Sequence, residues 1–191
     1  MKVVAFNGSA RKESNTGRLI SEVFKELENR GVSTELVPLR GTKLSGCTAC
    51  MQCFEKQDGY CTVKTDQLNE FVDKMRGADG IILGSPAYFG SVSTEMKALI
   101  DRAGLVAFAN TGMLRHKAGA SVVAARRIGF AHVLNQMNAF FSCFEMFTVG
   151  SNYPNMAVGE APGDVEQDAM GLETMRVLGQ NMAFLLGKLQ G

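Results

Sequence analysis

Tryptophan is absent from the 191 residues, and several other absences narrow what the chain can be. Charge is nearly balanced at +1, which excludes a strong nucleic-acid-binding field or a polybasic membrane patch. No apolar run approaches the ~20 residues of a membrane span. The N-terminus enters an apolar run directly, without a basic segment, apolar stretch and cleavage site in series. That pattern argues against secretion and for the cytoplasm, where cysteines stay reduced. The point matters because four of the five cysteines lie between positions 47 and 61. Apolar residues make up 46%, and the length suits one domain, 1–191, with a sizeable core.

Val3-Val4-Ala5-Phe6 reads as a buried parallel strand, followed by a helix with Leu19, Ile20, Val23 and Leu27 on one face. Between them lies Asn7-Gly8-Ser9-Ala10-Arg11-Lys12-Glu13-Ser14-Asn15-Thr16. A strand, a hydroxyl-rich turn and a helix N-terminus make an anion site, because the first-turn N–H groups are unpaired and the helix dipole favours negative charge. The turn has neither the Gly-Lys-Ser/Thr of a Walker A loop nor the spaced glycines of a dinucleotide fingerprint. A phosphate monoester is the better match. The plain alternative is an ordinary helix capped by Ser14 or Asn15.

Further strands are expected at 32–39 (alternating, hence near a sheet edge), 80–84, 120–124 and 146–150. Helices should carry Leu68, Phe71, Val72 and Met75 after a Thr65 or Asp66 cap, then Met96, Leu99, Ile100 and Ala103. The next carries Phe130, Val133, Leu134, Met137 and Phe141, and a last one spans roughly 165–189. Residues 106–117 read as a looser piece and 151–164 as the longest irregular stretch. This alternation predicts an open parallel sheet with helices on both faces and ligands beyond the strands' carboxyl ends.

Three turns at that edge are enriched in binding chemistry. The second of them, Pro86-Ala87-Tyr88-Phe89, offers a rigid backbone and two aromatic rings for a flat heterocycle, or it merely covers the sheet. The third brings Arg126, Arg127 and Gly129 to a helix start, where positive charge and N–H donors would stabilise an anion on the ring. Phosphate, flat ring and positive pole together describe a flavin mononucleotide (FMN) site. The strand ends Phe6-Asn7 and Leu83-Gly84-Ser85 carry no carboxylate, which speaks against a phospho-receiver.

Cys47-Thr48-Ala49-Cys50-Met51-Gln52-Cys53 contains two CxxC steps sharing a cysteine, and Cys61 follows after seven residues. Such spacing aims several thiolates at one centre and suits a [4Fe–4S] cluster, and less well a tetrahedral zinc. Empty thiols and a redox disulfide stay open as alternatives. Cys143 is most simply a buried core residue. His132 falls within a helix and reads as structural, while His116 lies in the loose piece.

In residues 8–16, 85–93 and 96–102 and in the cysteine segment, the chain resembles the flavodoxin-like NAD(P)H-dependent FMN reductases, and within them the iron–sulfur flavoproteins. The resemblance implies a flavodoxin-like three-layer sandwich with a five-stranded parallel sheet in the order 2-1-3-4-5. It implies that Ser9, Arg11, Ser14, Asn15 and Thr16 bind the FMN phosphate. Pro86, Ala87, Tyr88 and Phe89 would lie along the isoalloxazine, with the turn bearing Arg126 and Gly129 at its pyrimidine side. The cysteine-rich insertion, at about 46–62, would then hold a cluster on Cys47, Cys50, Cys53 and Cys61 beside the flavin turns.

The expected function is an FMN-dependent oxidoreductase, a homodimer or homotetramer, passing electrons through FMN and a [4Fe–4S] cluster to or from a small-molecule or protein partner. No catalytic side chain is assigned, since flavin N5 carries the chemistry. The alternatives are a cluster-free NAD(P)H-dependent FMN or quinone reductase of the same fold, and a non-enzymatic zinc-holding interaction module.

Overall fold

The structure is a computed structural model describing residues 1–190; Gly191 lies outside the described residues. The elements follow the chain as β1 (Lys2–Asn7), α1 (Asn15–Glu28), β2 (Ser33–Pro38), α2 (Gln52–Lys56), α3 (Leu68–Gly77) and β3 (Gly80–Pro86). Then come α4 (Thr94–Ala109), β4 (Ala118–Ala125), α5 (Phe130–Cys143), β5 (Phe147–Thr148) and β6 (Met156–Val158). A 3-10 turn (Asp164–Gln167) precedes α6 (Ala169–Gln190).

The all-apolar runs make the centre of the sheet, because a strand covered by helices on both faces has no polar side to present. β1, β3 and β4 are buried along almost their whole length. The order is β2-β1-β3-β4-β5 and every pairing is parallel. β2 is the edge strand that its alternation predicts. One core layer sets Val4, Phe6, Ile81 and Leu83 against Phe71, Leu99 and Phe141 of α3, α4 and α5. The other sets Val3, Ala5, Ile82 and Val122 against Leu19, Val23, Leu178 and Met182 of α1 and α6. Among the described residues, no helix is long and apolar enough to cross a membrane.

The sheet has a sixth strand where five were expected. β5 pairs with the start of β4 at Ala118 and Gly119, and β6 with its end at Val123, Ala124 and Ala125, so two short pieces share one slot. The Gly-, Pro- and Asn-rich composition of 151–164 masks the three residues that pair. α4 runs through Val106, Ala107 and Ala109, which bury one more turn where a looser piece was expected, and Asn110 caps it. The cysteine segment contains the short α2, unsignalled by any periodicity. The expected final helix starts as the 3-10 turn and restarts after Asp168, whose carboxylate accepts from the Gly171 N–H at 2.9 Å. Gln67 sits at the α3 cap without a side-chain bond, while Asp66 Oδ1 accepts from the Leu68 N–H at 3.2 Å. Cys143, expected in the core, is exposed at the end of α5.

Candidate functional site

Three turns meet above the carboxyl ends of β1, β3 and β4 around a cavity of about 220 Å³. Its walls are Ser9, Arg11, Asn15 and Thr16 from the first turn, Pro86, Ala87 and Tyr88 from the second, and Ala124 and Arg126 at the third. Gly159 and Glu160 close it from the loop after β6. Ser14, Phe89 and Gly129, named with these residues from the sequence, lie outside the wall.

Ser14 is the N-cap of α1. Its Oγ accepts from the Gly17 N–H at 2.9 Å and from Asn7 Nδ2 at 3.1 Å. Capping fixes the first turn of a 14-residue helix whose dipole points its positive end at the cavity. Thr16, one position into that turn, is 1% exposed, and its Oγ1 has no hydrogen-bond partner. A buried hydroxyl without a partner costs about 1–3 kcal/mol, so it marks a place where a ligand acceptor belongs. The residues present therefore fit a phosphate-bearing ligand.

Asn15 works differently from a free phosphate donor. Its Nδ2 donates to the Ala161 carbonyl at 2.9 Å and its Oδ1 accepts from the Gly163 N–H at 2.8 Å, clipping the 159–163 loop over the helix start. Gly159 fits beneath this clip because a Cβ there would stand 2.8 Å from Asn15 Nδ2. Glu160 engages both candidate cations. Its backbone carbonyl accepts from Arg11 Nη1 at 2.6 Å, and its carboxylate pairs with Arg126 Nε at 2.8 Å. Neither Gly159 nor Glu160 was legible in sequence, since the stretch around them shows only turn composition.

The aromatic turn is held from two sides. The Ala87 N–H donates to the Ala124 carbonyl at 3.0 Å, and Gln136 Oε1 on α5 accepts from the Val92 N–H at 3.0 Å. Gly129, at φ +87°, caps α5 and packs against the turn; a Cβ there would meet the Gly90 Cα at 2.8 Å. Phe89, at φ +49°, and Ile128 are exposed large apolar side chains on the second and third turns.

Cys47, Cys50, Cys53 and Cys61 line one small hollow together with Arg102, Leu105 and Val106 of α4. Cys53 is buried, Cys61 half-buried, and Cys47 and Cys50 exposed. The Ala49 N–H donates to Cys47 Sγ at 3.4 Å, with Ala49 and Met51 in left-handed backbone. The Gln52 N–H and the Thr62 hydroxyl hold the Cys50 thiol below its ordinary pKa, whereas burial pushes Cys53 up. Among the described residues, no three His, Cys, Asp or Glu side chains stand close enough together to hold a metal ion as they are placed.

Residues 1–161 match the family described as NADPH-dependent FMN reductase. The chain belongs to that family. Within it, the chain falls in the iron–sulfur flavoprotein branch. It is 40% identical over 190 residues to an iron–sulfur flavoprotein of Methanocaldococcus jannaschii, covering 96% of both chains. It is 29% identical over 192 residues to an iron–sulfur flavoprotein of Methanosarcina thermophila, covering 100% of this chain and 97% of that one. Among solved structures, an archaeal flavodoxin superposes with a TM-score of 0.63 at 16% identity, over 100% of both chains. RosB with a bound riboflavin-phosphate intermediate superposes with a TM-score of 0.76 at 16% identity, over 100% of this chain and 80% of that one. These likenesses establish the flavodoxin-like fold expected for an FMN reductase.

Proposed function

We propose that the protein is an FMN-dependent oxidoreductase that holds the flavin phosphate at the first turn and the ring along the second. The observation that carries this reading is the partnerless Thr16 hydroxyl in a cavity whose other walls are an aromatic turn and an arginine. Ser9 and Thr16 would donate hydroxyl hydrogen bonds to the phosphate, and Arg11 would offset its charge. Pro86 and Ala87 would present backbone to the ring edge and Tyr88 an apolar face. Arg126 would stand at the electron-accepting side of the ring. Bound there, FMN supplies hydride and single-electron chemistry. NAD(P)H is the proposed reductant for hydride delivery. The exposed Phe89 and Ile128 beside the cavity mouth support a homodimer or homotetramer in which a second subunit covers the ring.

The four cysteines support a [4Fe–4S] cluster in the same molecule. Four sulfur donors on one hollow suit a soft iron centre, and the branch relatives carry the iron–sulfur name. The exposure of Cys47 and Cys50 favours the second reading, a cluster-free NAD(P)H-dependent FMN or quinone reductase. Anaerobic purification with flavin and iron quantified decides between them. About one FMN and about four iron per chain support the first, while FMN without iron supports the second. A flavin-free protein that takes up no FMN contradicts both.

A further inference from the structure

Beneath the cysteine hollow lies an ion pair that none of the flavin chemistry uses. The side chain of Arg102, on α4, is 2% exposed and that of Asp66 4%. Arg102 Nη1 donates to Asp66 Oδ2 and also reaches the Ser45 carbonyl at 3.4 Å. Arg102 Nη2 donates to Cys61 Sγ at 3.4 Å. One guanidinium thus ties together the chain just before Cys47, the sulfur of Cys61 and the chain just before α3. Cys53 leans on the same helix, its Sγ 3.9 Å from the Leu105 carbonyl.

A buried ion pair is a weak stabiliser by itself, because desolvating two charges offsets most of their attraction. Its orientation is what has consequences here. The guanidinium is the member of the pair that meets a cysteine, through Nη2 on Cys61 Sγ, while its Nη1 holds the Asp66 carboxylate, so the hollow has a buried, fixed cation at close range. Four thiolates around an iron–sulfur centre carry net negative charge that grows on reduction. A nearby cation and an N–H···S contact both favour the reduced, more negative state.

We propose that Arg102 is the positioning and charge-compensating residue of the cysteine centre. It orients Cys61 through the N–H···S contact and raises the one-electron midpoint potential of a cluster held there. The inference rests on the reading that the four cysteines hold a [4Fe–4S] cluster. Asp66 acts through Arg102 by fixing the fork with its open edge towards the sulfur.

The test is anaerobic reconstitution of the full-length wild type, R102K and R102Q/D66N with ferrous iron and sulfide, followed by a redox titration read by electron paramagnetic resonance. Iron and FMN content are measured on the same samples. The double variant keeps the shape of the pair without its charges, and R102K keeps the charge without the fork. The potential should fall in the order wild type, R102K, R102Q/D66N. For the neutral pair, the reduced-to-oxidised ratio at fixed potential should change at least about tenfold, which is about 59 mV for one electron. FMN content should stay at the wild-type level in both variants. Should the neutral pair fail to fold, R102K carries the test, with a smaller fall in the same direction. An unchanged potential in every variant that folds and loads overturns the proposal while leaving the cluster intact. A wild type that takes up no iron overturns the cluster reading itself.

Discussion

Asn15 and Gly163, 148 positions apart in the chain, are joined by a hydrogen bond of 2.8 Å between the Asn15 Oδ1 and the Gly163 N–H. With the companion bond from Asn15 Nδ2 to the Ala161 carbonyl, one amide occupies both of its ends on a single loop. The start of α1 and the loop after β6 are therefore tied together at the edge of the cavity.

Replacing Asn15 with Ala should release the loop while leaving the sheet intact. Two hydrogen bonds are lost, so stability should fall by about 1–3 kcal/mol. FMN affinity should fall at least about tenfold, or about 1.4 kcal/mol, because the wall carrying Gly159 and Glu160 loses its tie to the start of α1. Asn15→Asp keeps the acceptor for Gly163 but loses the donor to Ala161 and adds a negative charge to the cavity wall, so its stability should sit between the two while its FMN affinity falls at least as far as that of Asn15→Ala. Urea unfolding and fluorescence titration with FMN measure the two effects separately.

Thr16→Val separates binding from folding. The hydroxyl makes no bond within the protein, so its removal should leave the apo-protein as stable as the wild type or more so by up to about 1 kcal/mol. FMN affinity should drop about tenfold through loss of a donor to the phosphate. A parallel loss of both stability and affinity would mean that Thr16 is structural and not part of the ligand site.

Glu160 places a carboxylate in the wall of a site built for an anion, paired to Arg126. Both side chains are more than half exposed, so E160Q should alter stability by no more than about 0.5 kcal/mol. FMN should bind a few-fold tighter in E160Q, and its affinity should fall more steeply as salt rises, because Arg11 and Arg126 then face the ligand without a competing charge. Titrations at low and high ionic strength check this.

At the edge of the sheet, Glu35 accepts from Lys2, 2.6 Å away, and from Lys74, and these bonds hold its carboxyl below the ordinary glutamate range. A folded pKa below the unfolded one contributes stability that is present above the unfolded value, 4.5, and is lost as pH falls through the folded value. E35Q should therefore cost less than about 1 kcal/mol near neutral pH and nothing in strong acid. Denaturation midpoints of both proteins across about pH 3 to 7 should converge at the acid end.

Much of this was legible because the informative signals were local. The runs Val3–Phe6 and Ile81–Leu83 announce buried central strands, and Ser14 ahead of a helical pattern announces a cap. What escaped depends on partners far along the chain. Asn15 looks like a ligand donor in sequence, but its amide is spent on residues 161 and 163, which no periodicity links to it. β6 is three residues in a stretch whose composition suggests only turns, and its pairing depends on β4 having a vacant edge beyond β5. The two CxxC steps and Cys61 bring four sulfurs to one hollow. The arginine beside them lies on a helix some forty residues later, and nothing in its own neighbourhood marks it as buried.

The phosphate site is the central claim, and apo-protein titrated in parallel with FMN and riboflavin tests it most directly. The two ligands share the ring and differ by the phosphate alone. FMN should bind at least about a hundredfold more tightly, about 2.7 kcal/mol, and the difference should shrink in Thr16→Val. Equal binding of riboflavin and FMN would contradict a phosphate site at the first turn.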